Sequence, residues 1–348
     1  MNLIKGIRIA LWGFSIVGVL STGVLLGQVR WDFETAETGM RSADLNIRQS
    51  AFYGLLKPHA NSKGSVRSSV EQLVAAHPNE REQIARALIE ALELEVAHRN
   101  LARQNGEQLT ETFSDYWADL MAAVSYLRDP RAVKGLLGGV DTGGIATEGL
   151  ADICPSAIDA LIDVARAPNP TFRGMPLGFR NGAVAALGGC LNRTELLRAN
   201  PEVRAKARAA LLEALDDADW TVRIAAVNGT LSFREDATVK EKLDRMAGLD
   251  PYMSPLPRLA PGTSTFAVRD AARDVLAADE RTVFYLVRSA DNLECRVDAQ
   301  IADASLSVIM GPFPSRQSAE RAACRNLDSI RIDTPACRTI APPGVCGR

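Results

Sequence analysis

Apolar residues recur every three or four positions through most of the chain, which is the spacing of one face of an amphipathic α-helix. Ile84, Leu88, Leu92 and Val96 follow one another at intervals of four. The same helical spacing is found later at Ala207, Leu211, Leu212 and Leu215, and again at Val239, Leu243 and Met246. The pattern predicts a mainly α protein in which residues 32–108 form a helical linking or capping region.

The N-terminal segment departs from this pattern because no polar face interrupts it. Residues Ile9 to Gly27 carry no charge over 19 positions, and a helix of that length extends roughly 28 Å, enough to cross a bilayer. Lys5 and Arg8 precede the segment and acidic residues follow it, so the positive-inside rule places the N-terminus in the cytoplasm. Residues 1–31 are therefore predicted to be a cytoplasmic tip and a single transmembrane anchor. A cleaved signal peptide is the alternative.

Three segments in the middle of the chain share an apolar residue, an arginine and a pair of small residues. Their arginines, Arg180, Arg223 and Arg269, are 43 and then 46 residues apart. Helix-pair repeats have periods of about 40 to 47 residues. The spacing therefore predicts stacked helix pairs over residues 109–278.

These segments, above all LDDADWTVRIAAVNGTL at residues 215–231, resemble the HEAT repeat and within it the phycobilisome-lyase-like subgroup. The resemblance implies an α-solenoid that binds proteins on its concave face, which the second helices usually form. It also implies a structural hydrogen-bond ladder that maps onto Asp219 and Arg223, with Arg180 and Arg269 at the matching positions of the other repeats. The lyase-like subgroup adds, as a third hypothesis, a role on a chromophore or protein substrate.

From residue 279 onward the pattern is that of strands. Residues 282–288 and 306–310 are β-rich, a Gly-Pro-Phe turn then leads into an Ala-rich helix, and a last strand is predicted at 329–332. The order β-β-α-β predicts a small α+β module. Its segment VIMGPFPSRQSAERAACRNL resembles the second half of a SPOR domain, a family that binds peptidoglycan. Phe284, Tyr285 and Arg288 on the first strand are the candidate ligand-binding residues.

Four of the six cysteines, Cys295, Cys324, Cys337 and Cys346, lie in the last 54 residues. An even number in so short a segment predicts disulfides, with three possible pairings. The chain has no CxxC pair and no histidine after His98, which disfavours a zinc site. The remaining two cysteines, Cys154 and Cys190, lie in Ala-rich helical sequence and are interpreted as small buried hydrophobic residues.

Charge and motifs narrow the classes of function. Of 348 residues, 40 are Lys or Arg and 42 are Asp or Glu, and the net charge of −2 provides no field that attracts nucleic acid. The sequence contains no GxSxG, GxGxxG, P-loop or HExxH motif. Glu95 and His98 are interpreted as part of a solvated helix face. We therefore predict a protein that is not an enzyme and has no cofactor and no metal site.

Together these patterns predict a single-pass inner-membrane protein whose bulk is periplasmic. In this interpretation the solenoid is a scaffold that binds other envelope proteins through its concave face, and Ile9 to Gly27 contact the lipid bilayer. The alternative hypothesis is binding of peptidoglycan or another cell-wall glycan by the SPOR-like module at residues 279–348.

Overall fold

The computed structural model describes residues 33–59, 66–107, 111–193, 197, 200–253, 266–278, 284–289, 295–299, 306–313, 316 and 319. These residues are mainly helical. They form the α-helices α1 (Phe33–Met40), α2 (Leu45–Leu56), α3 (Val66–Ala76), α4 (Arg81–Gln104), α5 (Glu111–Leu127), α6 (Val133–Leu137), α7 (Gly144–Asp152), α8 (Cys154–Arg166), α9 (Phe179–Asn192), α10 (Pro201–Ala214), α11 (Trp220–Gly229), α12 (Ala237–Leu249) and α13 (Ala267–Leu276). The strands are β1 (Thr171–Phe172), β2 (Met175–Pro176), β3 (Phe284–Ser289), β4 (Cys295–Asp298) and β5 (Leu306–Phe313).

Several helices begin where the sequence offers an aspartate to accept hydrogen bonds from the first free amides. Asp44 accepts from the backbone N–H of Asn46 at the start of α2, and Asp236 does the same for α12. Prolines fix the first turns of α8 and α10, where their missing N–H costs nothing. The helix boundaries therefore follow from local sequence, and the apolar faces then determine how the helices pack.

The helices after α3 pack in two series. In the first series α5, α7, α9, α11 and α13 each contact the next member. In the second series α4 contacts α6, α6 contacts α8, and α8 contacts α10, while α12 packs on α13. This alternation makes every helix pair depend on its neighbours in the chain for burial of its apolar face, as in repeat proteins.

Two glycines determine how closely α9 and α11 approach. A Cβ placed on Gly188 would lie 2.4 Å from the Cα of Gly229, closer than any real Cβ contact. The two backbones therefore meet without side chains between them. This crossing explains why small residues recur in the repeat segments.

One continuous apolar core runs through the helices from Phe33 to Val275. Ile84, Leu88 and Leu92, whose spacing predicts a buried helix face, are fully buried in it. Cys154 and Cys190 are also buried, as predicted, but they form a disulfide that joins the start of α8 to the end of α9. Their predicted burial is therefore confirmed, and the disulfide between them is a feature that the interpretation of the sequence did not include.

The C-terminal strands form an antiparallel sheet in the order β4-β3-β5, and β5 packs beside α7. Strand β4 pairs with β3 through Leu286 opposite Val297 and is absent from the predicted β-β-α-β order. Arg316 and Ala319 are helical, as expected of the helix after the Gly-Pro-Phe segment. The strand predicted at residues 329–332 lies outside the described residues.

The membrane part of the predicted fold class is corrected, and with it the localisation. No helix in the described ranges is both long enough and apolar enough to cross a bilayer. The longest of them, α4, has 24 residues but carries charged side chains along its outer face. The segment Ile9 to Gly27 lies outside the described residues. The prediction of a single-pass inner-membrane protein with a periplasmic bulk is therefore not supported, and the structure supports a mainly helical protein.

Candidate functional site

The most distinctive surface of the described chain lies where α11 begins and α12 ends. The ring of Trp220 stacks on the ring of Tyr252, with centroids 4.1 Å apart and planes 7° from parallel. Leu249 and Met253, on either side of Tyr252 in sequence, are 72% and 61% exposed. We call Trp220, Leu249, Tyr252 and Met253 the aromatic edge.

A buried ion pair holds this edge in place. Arg223 donates from Nε to Oδ2 of Asp250 at 2.7 Å and from Nη2 to Oδ1 at 3.0 Å. The Nη1 group of Arg223 donates to the carbonyl oxygens of Asp217 and Ala218 at 2.7 and 3.0 Å. Bidentate pairing of this kind fixes geometry as well as charge. The loop after α12 is thereby tied to the loop before α11.

Asp250 also organises its own loop. Its Oδ1 accepts the backbone N–H of Tyr252 at 3.0 Å, which turns the chain so that Tyr252 lies on Trp220. Its carbonyl oxygen accepts Nε of Arg269 at 2.8 Å, and the Arg269 guanidinium lies 3.8 Å above the ring of Phe266. The aromatic edge is therefore formed by α11, the end of α12 and the loop after it, and hydrogen bonds from α11 and α13 hold that loop in place.

The arginines singled out by the repeat pattern have a shared role, but with partners other than the expected one. Asp219 accepts hydrogen bonds from the backbone N–H and hydroxyl of Thr221 and caps α11, and it does not pair with Arg223. Arg180 pairs with Asp217 and donates from Nε to the carbonyl oxygen of Ala165 at 2.9 Å. Arg180 and Arg223 thus each reach the loop that leads into the next repeat, whereas Arg269 donates to the carbonyl oxygen of Asp250 in the loop before its own helix, so the ladder runs between repeats.

A further member of this ladder lies in α2 and is not among the residues that sequence reasoning selected. Arg48 donates from Nη1 to the carbonyl oxygens of Ser42 and Ala43, both at 2.9 Å, as Arg223 does to Asp217 and Ala218. Its side chain also pairs with Glu95 of α4. The signal was present in the sequence, because Ser-Ala-Asp-Leu-Asn-Ile-Arg at 42–48 matches Asp-Ala-Asp-Trp-Thr-Val-Arg at 217–223.

The Arg48 contacts correct the interpretation of Glu95 and His98. Glu95 is fully buried rather than solvated, because its carboxylate accepts two donors of Arg48. His98 is partly exposed, and its Nδ1 lies 3.1 Å from Nη2 of Arg48. The four-residue spacing of the apolar side chains in α4 places Glu95 at the margin of the apolar face. Its burial is explained by its pairing with Arg48, which is 47 residues away in the sequence.

The outer surface of the second helices is polar and is crossed by ion pairs between repeats. Arg166 of α8 pairs with Glu213 of α10 at 2.7 Å, and Lys134 of α6 pairs with Glu93 of α4 at 2.7 Å. Lys206 and Asp159 form a similar pair. Exposed pairs of this kind contribute little to stability. This surface differs from the aromatic edge, whose exposed side chains are apolar.

The candidate ligand residues of the C-terminal strands are placed unequally. Tyr285 is half-buried, and burial raises the pKa of its hydroxyl, with Glu148 of α7 acting in the same direction. It therefore faces the helices rather than an open sheet surface. Phe284, its neighbour on the opposite face of β3, is also half-buried. The backbone of Arg288 pairs with Cys295 and Ser307 in the sheet.

The predicted cysteine cluster lies mostly beyond the described chain. Cys295 is part of β4, whereas Cys324, Cys337 and Cys346 lie outside the described residues. In the residues that the structure describes, no group of histidine, cysteine and acidic side chains is arranged to hold a metal ion.

Comparison with known proteins adds no relative. No protein-family model matches the chain. No curated protein matches its sequence. Function is therefore inferred from the geometry of the described residues.

Proposed function

We propose that this protein is a non-catalytic binding protein, a HEAT-type α-solenoid whose protein partner docks on the aromatic edge. The observation that carries the proposal is the exposure of Leu249 and Met253 beside a stacked Trp220–Tyr252 pair. Aromatic residues and methionine are enriched at protein interfaces, where a few buried anchors supply most of the binding energy.

The support for the edge as the docking surface is its rigidity. The buried Arg223–Asp250 pair and the Tyr252 N–H bond fix the aromatic rings before any partner arrives. A preorganised surface loses less conformational entropy on binding. The ion pairs give the outer surface of α4, α6, α8 and α10 a charged character, whereas Leu249 and Met253 adjoin a stacked aromatic pair, which favours the edge over that surface.

Site-specific photo-crosslinking tests this proposal. A benzophenone amino acid is placed at position 253, and a matched one at position 175, because Met175 is equally exposed at 67% but lies on the β1–β2 hairpin. We expect a discrete crosslinked protein from position 253 and none from position 175. The crosslink should be lost when Leu249→Ser is added.

A second experiment measures the binding affinity for the protein identified by crosslinking. Leu249→Ser with Met253→Ser should weaken the affinity by at least about tenfold, since removal of one interface anchor costs on the order of 2 kcal/mol. Ile47→Ser with Met175→Ser is the control, because both of these side chains are exposed away from the edge. Equal crosslinks from positions 253 and 175, or no crosslink from 253, would contradict the proposal.

A further inference from the structure

Two arginines near the end of α4 share one carboxylate. Arg99 donates from Nη1 and Nη2 to the two oxygens of Asp141 at 2.9 and 3.2 Å, and Arg103 donates from Nη2 to Asp141 Oδ2 at 2.5 Å. The side chains of Arg99 and Asp141 are only 7% and 5% exposed. This cluster therefore contains two cations and one anion.

Arg103 is the arginine of this cluster whose positive charge is least compensated by Asp141. Burial lowers the pKa of its guanidinium, the Asp141 carboxylate opposes that effect, and the neighbouring charge of Arg99 adds to it. A partly buried cation that shares its counter-charge with a second cation is unfavourable unless another anion is supplied. Asp141 cannot fully compensate both arginines.

Arg103 still has donors to offer. In the described part of the chain neither its Nε nor its Nη1 has a hydrogen-bond partner, and neither atom is sealed from solvent. The guanidinium lies 5.6 Å from the ring centre of Phe179, the first residue of α9. Gly178 precedes that helix and provides no side chain to cap it, and Oδ1 of Asn169 accepts the backbone N–H of Arg180 in the first turn at 2.9 Å. The open donors therefore lie near the positive end of α9.

A third arginine approaches from the β1–β2 hairpin. Arg173 and Gly174 at its tip both have positive φ, at 50° and 80°, the conformation of a tight hairpin turn. Arg173 then reaches back to donate from Nη2 to the carbonyl oxygen of Gly106 at 2.9 Å, just beyond α4. Within the described ranges Arg173 forms no ion pair.

We propose that the arginine corner, defined as Arg99, Arg103, Asp141 and Arg173, is an oxyanion-binding site that takes a carboxylate or a phosphate group on the edge of the Arg103 guanidinium that Asp141 leaves open. The bound anion supplies the counter-charge that Asp141 cannot give to both arginines. Nε and Nη1 each form one edge of the planar guanidinium together with an N–H of Nη2, and because Asp141 accepts only one N–H of Nη2, one edge keeps two parallel donors for two oxygens of one anion. This site is independent of the aromatic edge and of the partner proposed for it.

Thermal unfolding of the full chain in sodium phosphate, sodium acetate and sodium chloride of equal ionic strength tests the proposal. Millimolar phosphate or acetate should raise the Tm by about 2 °C over chloride, because a ligand that binds only the folded state stabilises it. Arg103→Met should abolish this rise. It should not lower the Tm in chloride, since it removes an uncompensated charge. Arg166→Met, at an exposed arginine of α8, should keep the full response.

Each result of this experiment either supports or overturns the proposed oxyanion site. A response to acetate alone identifies a carboxylate site and a response to phosphate a site that accepts phosphate, and either supports the proposal. The absence of any response in the wild-type protein, or an equal response in Arg103→Met, overturns it. If Arg103→Met does not fold, Arg103→Lys takes its place, because it keeps the charge but not the planar pair of donors. A response to phosphate or acetate that Arg103→Lys leaves undiminished would then overturn the proposal.

Discussion

Asp250 shows how much of the aromatic edge depends on a single side chain. Its carboxylate accepts two donors of Arg223 and the N–H of Tyr252, and its carbonyl oxygen accepts Arg269. Asp250 is buried, and so is Arg223. Loss of a partner in such a pair leaves the other charge in a site that water does not reach.

Asp250→Ala should therefore lower the free energy of unfolding by about 3 kcal/mol. The measurement is urea denaturation followed by the fluorescence of the tryptophans, Trp220 among them. Asp216→Ala is the control, because the exposed Asp216 carboxylate pairs with Lys242 at the surface and its loss should cost less than about 1 kcal/mol. Similar losses of unfolding free energy in the two variants would show that the buried Arg223–Asp250 pair contributes no more to stability than an exposed pair.

The second prediction at this scale concerns Glu148, which pairs with Arg193. Burial raises the pKa of Glu148 above its ordinary value of 4.5, and Arg193 only partly opposes this. The folded chain then binds the proton more tightly than the unfolded chain. The contribution of Glu148 to stability is full below its ordinary pKa and is lost as the pH rises through the raised pKa.

Relative to the wild-type protein, Glu148→Gln should therefore gain stability as the pH rises from about 4 to about 7. Asp129→Asn provides a control of opposite sign. A hydrogen bond from Arg131 lowers the pKa of Asp129, so its contribution is present above the ordinary value of 3.8 and lost as the pH falls. Denaturation at a series of pH values measures both. A Glu148→Gln difference that does not change with pH would contradict the prediction.

Among the elements, the contact of α9 with α11 is the most sensitive to side-chain size. Gly188→Ala should lower the free energy of unfolding by about 1–3 kcal/mol, because the added methyl group meets the backbone of Gly229 and the helices must separate. Gly248→Ala in α12 is the matched control, since nothing lies within 4 Å of the added methyl group. It should instead stabilise the helix by up to about 1 kcal/mol. The measurement is urea denaturation. If Gly188→Ala leaves the free energy of unfolding unchanged, the two helices can move apart at this crossing without loss of stability.

Much of this element structure is predictable from the sequence, and the reasons differ by element. The period of Ile84, Leu88 and Leu92 predicts the buried face of α4 because a helix has only one way to bury that spacing. Strand β4 is short and has a single apolar residue, Val297, between Arg296 and Asp298, so it carries almost no strand signal. The repeat unit in α2 is not predicted by the spacing of the arginines, because Arg48 lies far before Arg180, Arg223 and Arg269 in the sequence.

The candidate site is less predictable than the helices. The partner of Arg223 lies 27 residues away at Asp250, and spacing indicates nothing about which loop acid a repeat arginine reaches. The nearer acid, Asp219, is used for capping instead. The Trp220–Tyr252 stack likewise depends on how one loop turns. The predicted transmembrane anchor rested on an uncharged run and its flanking charges, in a segment outside the described residues.

In the molecule as a whole, the continuous apolar core of the described residues belongs to the helices. The continuous core ends at Val275, while Val297, Phe313 and Ala319 are buried outside it. The carbonyl oxygen of Ala278 still accepts a hydrogen bond from Arg234 at 2.9 Å. Among the described residues, those that form this core or pack against it end at Ala278.

A protein that ends at Ala278 should keep its helical far-ultraviolet circular dichroism and unfold in one cooperative transition. Its Tm should fall by only a few degrees, since β5 contacts α7 but none of the described C-terminal side chains belongs to the continuous core. An untruncated protein with Tyr285→Ala is the comparison, because it loosens the contact without removing the sheet. Loss of helical signal in the truncated protein would show that the sheet is needed for folding.

The hydrogen bonds of the loop between α10 and α11 restrict insertions into that loop. Asp217 takes Arg180 on its side chain and Arg223 on its carbonyl oxygen, so one loop serves two repeats at once. A single inserted residue there would move one arginine away from its acceptor whichever way the loop adjusted. Insertions during evolution should therefore be excluded from this loop. Repeat length in this protein is set by hydrogen bonding at the turns as much as by helix packing.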